Sequence, residues 1–157
     1  GFIGRVTEEK GVERLAEAYG RLPEGAAGLV IAGESDPEVQ ARLTQLADGR
    51  AIRFLGFVPP ESFYRAVDVV VAPSLWHEPL PRSVIDAIGY GRPVIGSNRG
   101  GTPDAMGDPP FGWIFDPDAP DGLERGMREA TAGGGEFRLP LSAPASPVAS
   151  YVEVYLG

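Results

Sequence analysis

Three short segments of this chain hold most of the residues whose types and spacing suit chemistry. The first is Gly4-Arg5-Val6-Thr7-Glu8-Glu9-Lys10-Gly11. Its glycines permit close backbone approach, and Arg5 and Lys10 bring two cations to a helix start, a combination suited to a diphosphate; a solvated, salt-bridged turn is the competing reading. It has neither the Gly-Lys-Ser/Thr ending of a P-loop nor the GxGxxG spacing of a dinucleotide site. The second is Pro73-Ser74-Leu75-Trp76-His77-Glu78-Pro79-Leu80-Pro81, a proline-stiffened loop that sets the Glu78 carboxylate beside helix-start amides. Asp86 follows one helical turn into the next element, so the two acids can face one cleft; a simple electrostatic preference for a helix start also accounts for Glu78. In the third, Ser97-Asn98-Arg99-Gly100-Gly101-Thr102, turn amides can hold a phosphate or a sugar, or Thr102-Pro103 can simply open a helix, with Asp104 capping or binding. His77 is the single histidine and there is no cysteine, so no metal site is expected. His77 suits a structural hydrogen bond in its loop, and Trp76 suits packing.

These segments need elements to aim them. Val12, Leu15, Ala16 and Tyr19 recur at helical spacing behind Thr7, a candidate N-cap, and predict a helix over 8–21. Residues 29–32 form a short apolar run closed by Gly33 and predict a buried strand. Asp36-Pro37 then opens a helix whose apolar face is Val39, Leu43, Leu46 and Ala47. Strands over 52–55, 67–72, 93–96 and 112–115 alternate with helices over 60–66 and 82–90 and a brief one from Thr102. Asp121 and Glu124 make a capping-box pattern ahead of Leu123, Met127 and Ala130. The run Val69-Val70-Val71 is apolar on both faces, as in a parallel sheet covered by helices. Five strands, with Gly1 to Ile3 as a sixth, predict a three-layer α/β domain with a mostly parallel sheet, in which ligands bind beyond the carboxyl ends of the strands. Tyr19, Phe54, Phe63, Tyr64, Trp113 and Phe115 fall inside these elements and are expected to pack. The Gly133-Gly134-Gly135 stretch through Pro140, Pro144 and Pro147 reads as loop or linker.

At 157 residues the chain suits one domain with a proper core. Fourteen Lys and Arg against twenty-two Asp and Glu give a formal charge of −8, which argues against a nucleic-acid surface built on clustered cations. An apolar fraction of 43% excludes wholesale disorder. No run is long enough for a membrane span, and no secretory leader is evident. A cytoplasmic location is the expectation.

Taken in order, several motifs resemble the donor-binding, C-terminal half of the retaining family 4 (group 1) glycosyltransferases, two-domain enzymes of the GT-B type. They are Gly4-Arg5 with Lys10-Gly11; Leu55-Gly56-Phe57-Val58; Ala66-Val67-Asp68 through Ala72-Pro73-Ser74; Glu78-Pro79-Leu80 through Val84-Ile85-Asp86-Ala87; and Gly91-Arg92-Pro93-Val94-Ile95 through Gly100-Gly101. The ending from Ser146 to Tyr155 is similar to the family's terminal helix. The resemblance implies a Rossmann-like, nucleotide-sugar-binding domain over residues 1–141 and a C-terminal linker and helix over 142–157.

It also implies roles. Gly4, Arg5 and Lys10 would meet the donor diphosphate, with Arg5 and Lys10 stabilising charge on the departing nucleotide and Glu78 set against hydroxyls of the transferred sugar, so that Arg5, Lys10 and Glu78 are the implied catalytic residues. The second acid of the family's pair would take the ribose diol; it is Asp86 here, where a glutamate is usual. Asp104 likewise stands where the family often has glutamate. Pro81 replaces a common glycine and has no N–H, which leaves the phosphate-binding task to amides of Leu80, Arg82 or Ser83. Phe57 and Val58 occupy the segment that lines the base. The nucleoside-diphosphate sugar is then a substrate, with no cofactor and no metal requirement implied. The resemblance further implies a missing N-terminal acceptor domain, with any membrane association left to that domain, so this chain is expected to bind donor and transfer poorly by itself. A non-catalytic nucleotide-sugar-binding or assembly module, or a related nucleotide-sugar epimerase or hydrolase, is the alternative.

Overall fold

The structure, a computed structural model, describes residues 1–132. The linker and terminal helix expected beyond them, and the domain boundary expected at 141/142, lie outside the described residues.

Six parallel strands form the central layer: β1 (Phe2–Ile3), β2 (Leu29–Ala32), β3 (Ile52–Gly56), β4 (Val70–Ala72), β5 (Val94–Ser97) and β6 (Gly112–Phe115). They pair as two three-stranded units, β1-β2-β3 and β4-β5-β6. Gly1 joins the units, its nitrogen donating to the Val69 carbonyl at 2.7 Å and its carbonyl accepting from the Val71 N–H at 2.8 Å. The strand order is therefore 3-2-1-4-5-6, with the reversal between β1 and β4, the Rossmann-like arrangement whose switch point is the usual place for a ligand.

Alternation along the strands builds a core on each face. Ile31, Val71, Ile95 and Phe115 pack with Leu15, Tyr19, Leu43 and Met127 from the helices α1 (Val12–Gly20), α2 (Pro37–Leu46) and α6 (Gly122–Ala132). Ala32, Val70, Ala72 and Val94 pack with Phe63, Tyr64, Val84 and Met106 from α3 (Pro60–Ala66), α4 (Arg82–Gly89) and α5 (Thr102–Met106). Tyr19, Phe63, Tyr64 and Phe115 are buried and Phe54 and Trp113 half-buried, as expected of packing residues. Among the described residues no helix is long and apolar enough to cross a membrane.

Two elements differ from expectation. The helix predicted over 8–21 is a 3-10 turn, Glu8–Lys10, followed by α1, and Gly11 separates them in the left-handed region at φ 72°. The apolar periodicity of Val12, Leu15, Ala16 and Tyr19 lies wholly within α1, and Glu8–Lys10 holds no buried residue, so the pattern could not reveal the break. Thr7 does not cap: its hydroxyl is buried without a hydrogen-bond partner. The strand expected over 67–72 is shorter, because the ladder with β5 begins at the pair Val70 and Val94, while Val67 closes α3.

Candidate functional site

The site is assembled at the carboxyl ends of β1 and β4. The Leu75 N–H donates to the Glu9 carbonyl at 2.9 Å, and the Ser74 hydroxyl donates to the same oxygen at 3.4 Å. These bonds fasten the loop after β4 to the 3-10 turn after β1. Their consequence is that Lys10 and Glu78, distant in sequence, meet: Lys10 Nζ donates to Glu78 Oε2 at 2.7 Å. The third segment fixes the other side of Glu78, because the Gly101 N–H donates to the Glu78 carbonyl at 2.9 Å. The Gly100 N–H donates to His77 Nδ1 at 3.3 Å, the structural hydrogen bond expected of the lone histidine. The Gly100-Gly101 turn is thus explained first by close approach to the Glu78-Pro79 backbone.

A cleft of about 490 Å³ opens beside this pair, within the usual range for small-molecule sites. Gly4, Arg5, Lys10, Glu78, Arg82, Ser83 and Asp86 all line it. Glu78 and Asp86 do face one cleft. Leu80 lines a neighbouring depression shared with Arg5, Lys10, Trp76 and Glu78. Phe57 and Val58 are not brought to the cleft: Phe57 is 82% exposed in the loop after β3, and Val58 packs against the core on the α3 face. In the order 3-2-1-4, the end of β3 lies two strands from the switch point, a separation that motif order does not encode. Trp76 is also exposed and does not join the core, and Asp104 is exposed in the first turn of α5.

Electrostatics divides the charged residues. Arg5 holds Glu9 at 2.9 Å, but its side chain is 74% exposed, so the contact is screened and adds at most about 1 kcal/mol. Lys10 and Glu78 are largely withdrawn from water, at 19% and 29% side-chain exposure. Burial holds the Asp86 carboxyl above its ordinary value, with Arg82 opposing the shift. Burial also pushes the Tyr64 phenol upward, so it remains a neutral donor, bonding the Ser83 carbonyl at 3.3 Å. The Arg82 N–H, one of three amides expected to serve a phosphate, already donates to the Leu80 carbonyl at 2.9 Å. Tyr64, Pro60, Ser74 and Thr102 also line the cleft; residue type alone assigns Tyr64 to packing, because burial accounts for an aromatic in a helix just as well.

Asp86 supports a stability prediction. Because its carboxyl titrates higher in the folded chain than in the unfolded one, the native state binds the extra proton, and this group lowers stability as pH rises from the ordinary value through the raised one. Asp86→Asn should therefore raise the Tm at pH 7 by a few degrees and lose that advantage below the ordinary carboxylate range. Thermal melts at both pH values check the sign; a lower Tm for the variant at pH 7 would contradict it.

Residues 1–142 match the family model described as Glycosyl transferases group 1. An uncharacterized glycosyltransferase of Methanocaldococcus jannaschii is 35% identical over 133 residues, covering 80% of this chain and 34% of the relative. The lipopolysaccharide core biosynthesis glycosyltransferase LpsE of Rhizobium meliloti is 31% identical over 131 residues, covering 83% of this chain and 38% of the relative. The chain therefore spans well under half the length of these curated relatives. Among solved structures, the sucrose-phosphate synthase of Thermosynechococcus elongatus superposes with a TM-score of 0.77 at 27% identity, over 95% of this chain and 40% of that one. Anabaena HepE, solved in complex with UDP and glucose, superposes with a TM-score of 0.77 at 20% identity, over 98% of this chain and 43% of that one, a likeness of fold. With the parallel 3-2-1-4-5-6 sheet and a family match running from its first residue past its last described one, the chain belongs to the group 1 glycosyltransferases.

Proposed function

We propose that this chain is the donor-binding half of a retaining, family 4 glycosyltransferase that takes a sugar from a nucleoside-diphosphate sugar. The observation that carries this reading is the convergence of Lys10, Glu78 and Asp86 in one cleft at the sheet's switch point. The diphosphate lies against Gly4, Arg5 and Lys10. Glu78 accepts hydrogen bonds from hydroxyls of the transferred sugar, and Asp86, on the other side, accepts them from the ribose diol. Asp86 is one methylene shorter than glutamate, so a water can complete that contact. Pro60 lines the cleft and follows the Phe57-Val58 segment closely, which supports a base lying toward that segment.

Departure of the nucleotide builds negative charge on its β-phosphate. Lys10 and Arg5, with amides of Leu80 and Ser83, bind that charge more strongly in the transition state than in the ground state, and this difference accelerates the reaction. Cationic side chains fill the role for which a metal is otherwise used, and the donor is consumed as a substrate. Glu78 is assigned orientation of the sugar, with no covalent role. Because the chain spans only part of each relative, the reading includes a second domain that presents the acceptor, and this chain alone binds donor without efficient transfer.

The test is calorimetry with UDP, GDP and ADP beside their nucleosides. One diphosphate should bind at least about 10-fold tighter than its nucleoside, with the difference shrinking at high salt and in Lys10→Ala. Equal affinity for diphosphate and nucleoside in both proteins would refute diphosphate recognition at Lys10.

A further inference from the structure

We propose that the Lys10–Glu78 ion pair makes this site prefer an intact nucleotide-sugar over the free nucleoside diphosphate, an inference that rests on the donor-site reading above. Glu78 holds Lys10 at 2.7 Å, with both side chains mostly withdrawn from water. A diphosphate that recruits Lys10 therefore competes with a carboxylate. Withdrawal of the backbone does not relieve the competition. Lys10 is carried by a turn bonded through Glu9 to Leu75 and Ser74, and the Glu78 backbone is held by the Gly101 N–H.

The two ligands differ in what they return to Glu78. An ionised carboxylate only accepts hydrogen bonds, and a sugar supplies hydroxyl donors that replace the lost Lys10 contact. A free nucleoside diphosphate supplies none at that position. Its terminal phosphate also carries a further negative charge above a second pKa of about 6, close to a carboxylate that has lost part of its counter-charge. Glu78 thus acts as a discriminating group against the departing nucleotide, by the unfavourable contact it makes with the wrong ligand as well as the favourable one it makes with the right one. Arg5 has no equivalent part, because its Glu9 partner sits in solvent where the loss of the pair costs little. After transfer, the same carboxylate reclaims Lys10 and favours product release.

The experiment compares the 157-residue chain with its Glu78→Gln variant, measuring dissociation constants for UDP, GDP and ADP and for UDP-glucose, GDP-mannose and ADP-glucose. Glutamine keeps the shape, so thermal melts should show an intact fold, and Glu78→Ala provides a second variant for which the same shift is expected. For the base that binds, Glu78→Gln should tighten the free diphosphate by about 10-fold and leave the sugar donor unchanged or weaker, collapsing the preference by at least that factor. The gain should diminish as salt is raised. A diphosphate affinity that is unchanged or weaker, or one factor of change shared by both ligands, would overturn the inference while leaving the donor site standing. Absence of binding by all six ligands to both proteins would overturn the donor-site reading together with it.

Discussion

Glu78→Gln, introduced into a polypeptide that carries both donor and acceptor domains, should lower turnover at saturating donor by about 100-fold without weakening nucleoside-diphosphate affinity. On the donor-site reading the magnitude follows from the loss of charge-assisted hydrogen bonds to sugar hydroxyls, each worth about 1.5–3 kcal/mol when one partner is ionised. Turnover suffers more than binding because the lost contacts position the reacting sugar, and a misplaced sugar rarely reaches the transition state. Asp86 should divide from Glu78 in the opposite sense. Asp86→Asn should raise the nucleotide dissociation constant by about 10-fold with little change in saturated turnover, and Asp86→Glu should restore the contact if the backbone accommodates the longer arm. Steady-state kinetics and calorimetry on the same folded variants measure both. Unchanged turnover in Glu78→Gln, together with unchanged affinity in Asp86→Asn, would remove this division of labour.

Gly100→Ala should destabilise the chain by about 2–5 kcal/mol and disorganise the site at the same time. Gly100 has φ +55°, where an L side chain costs about 1–2 kcal/mol. A Cβ there would also lie 2.3 Å from the Glu78 carbonyl oxygen and 2.6 Å from its nitrogen, and backbone held by the Gly101 hydrogen bond cannot move aside as a flexible side chain would. Overpacking of this kind adds about 1–3 kcal/mol. Gly49 supplies the control: its φ is +73° with nothing within 4 Å of its Cβ position, so Gly49→Ala should show the conformational cost alone, about 1 kcal/mol. Urea unfolding of the two variants separates the contributions, and equal losses would mean that contact with Glu78 is not what demands the glycine. Ligand affinity should fall only for Gly100→Ala, through displacement of the Glu78 segment.

The same glycine shows where reading from sequence is strong and where it stops. A Gly-Gly turn between a buried strand and a short helix is legible from residue type, but its purpose is not, because an anion cradle and a helix start use the same residues. In three dimensions the turn presses on Glu78 and Pro79, residues remote in the chain. Gly11 repeats the lesson. It falls inside the helix predicted over 8–21, and it instead breaks that helix while pressing on the Pro73 carbonyl across the switch point.

From the chain alone came the alternating strands and helices, the parallel α/β class, the three loops whose residue types suit chemistry and the family resemblance. Those depend on local periodicity, capping and residue order, which are properties of contiguous sequence. The tertiary structure decided strand order, the pairing of Lys10 with Glu78, the common cleft of Glu78 and Asp86, and the exclusion of Phe57 from it. The reason is physical: a strand's periodicity reports which of its faces is buried but not which strand lies beside it, and only the 3-2-1-4-5-6 order places the ends of β1 and β4 together while setting the end of β3 two strands away.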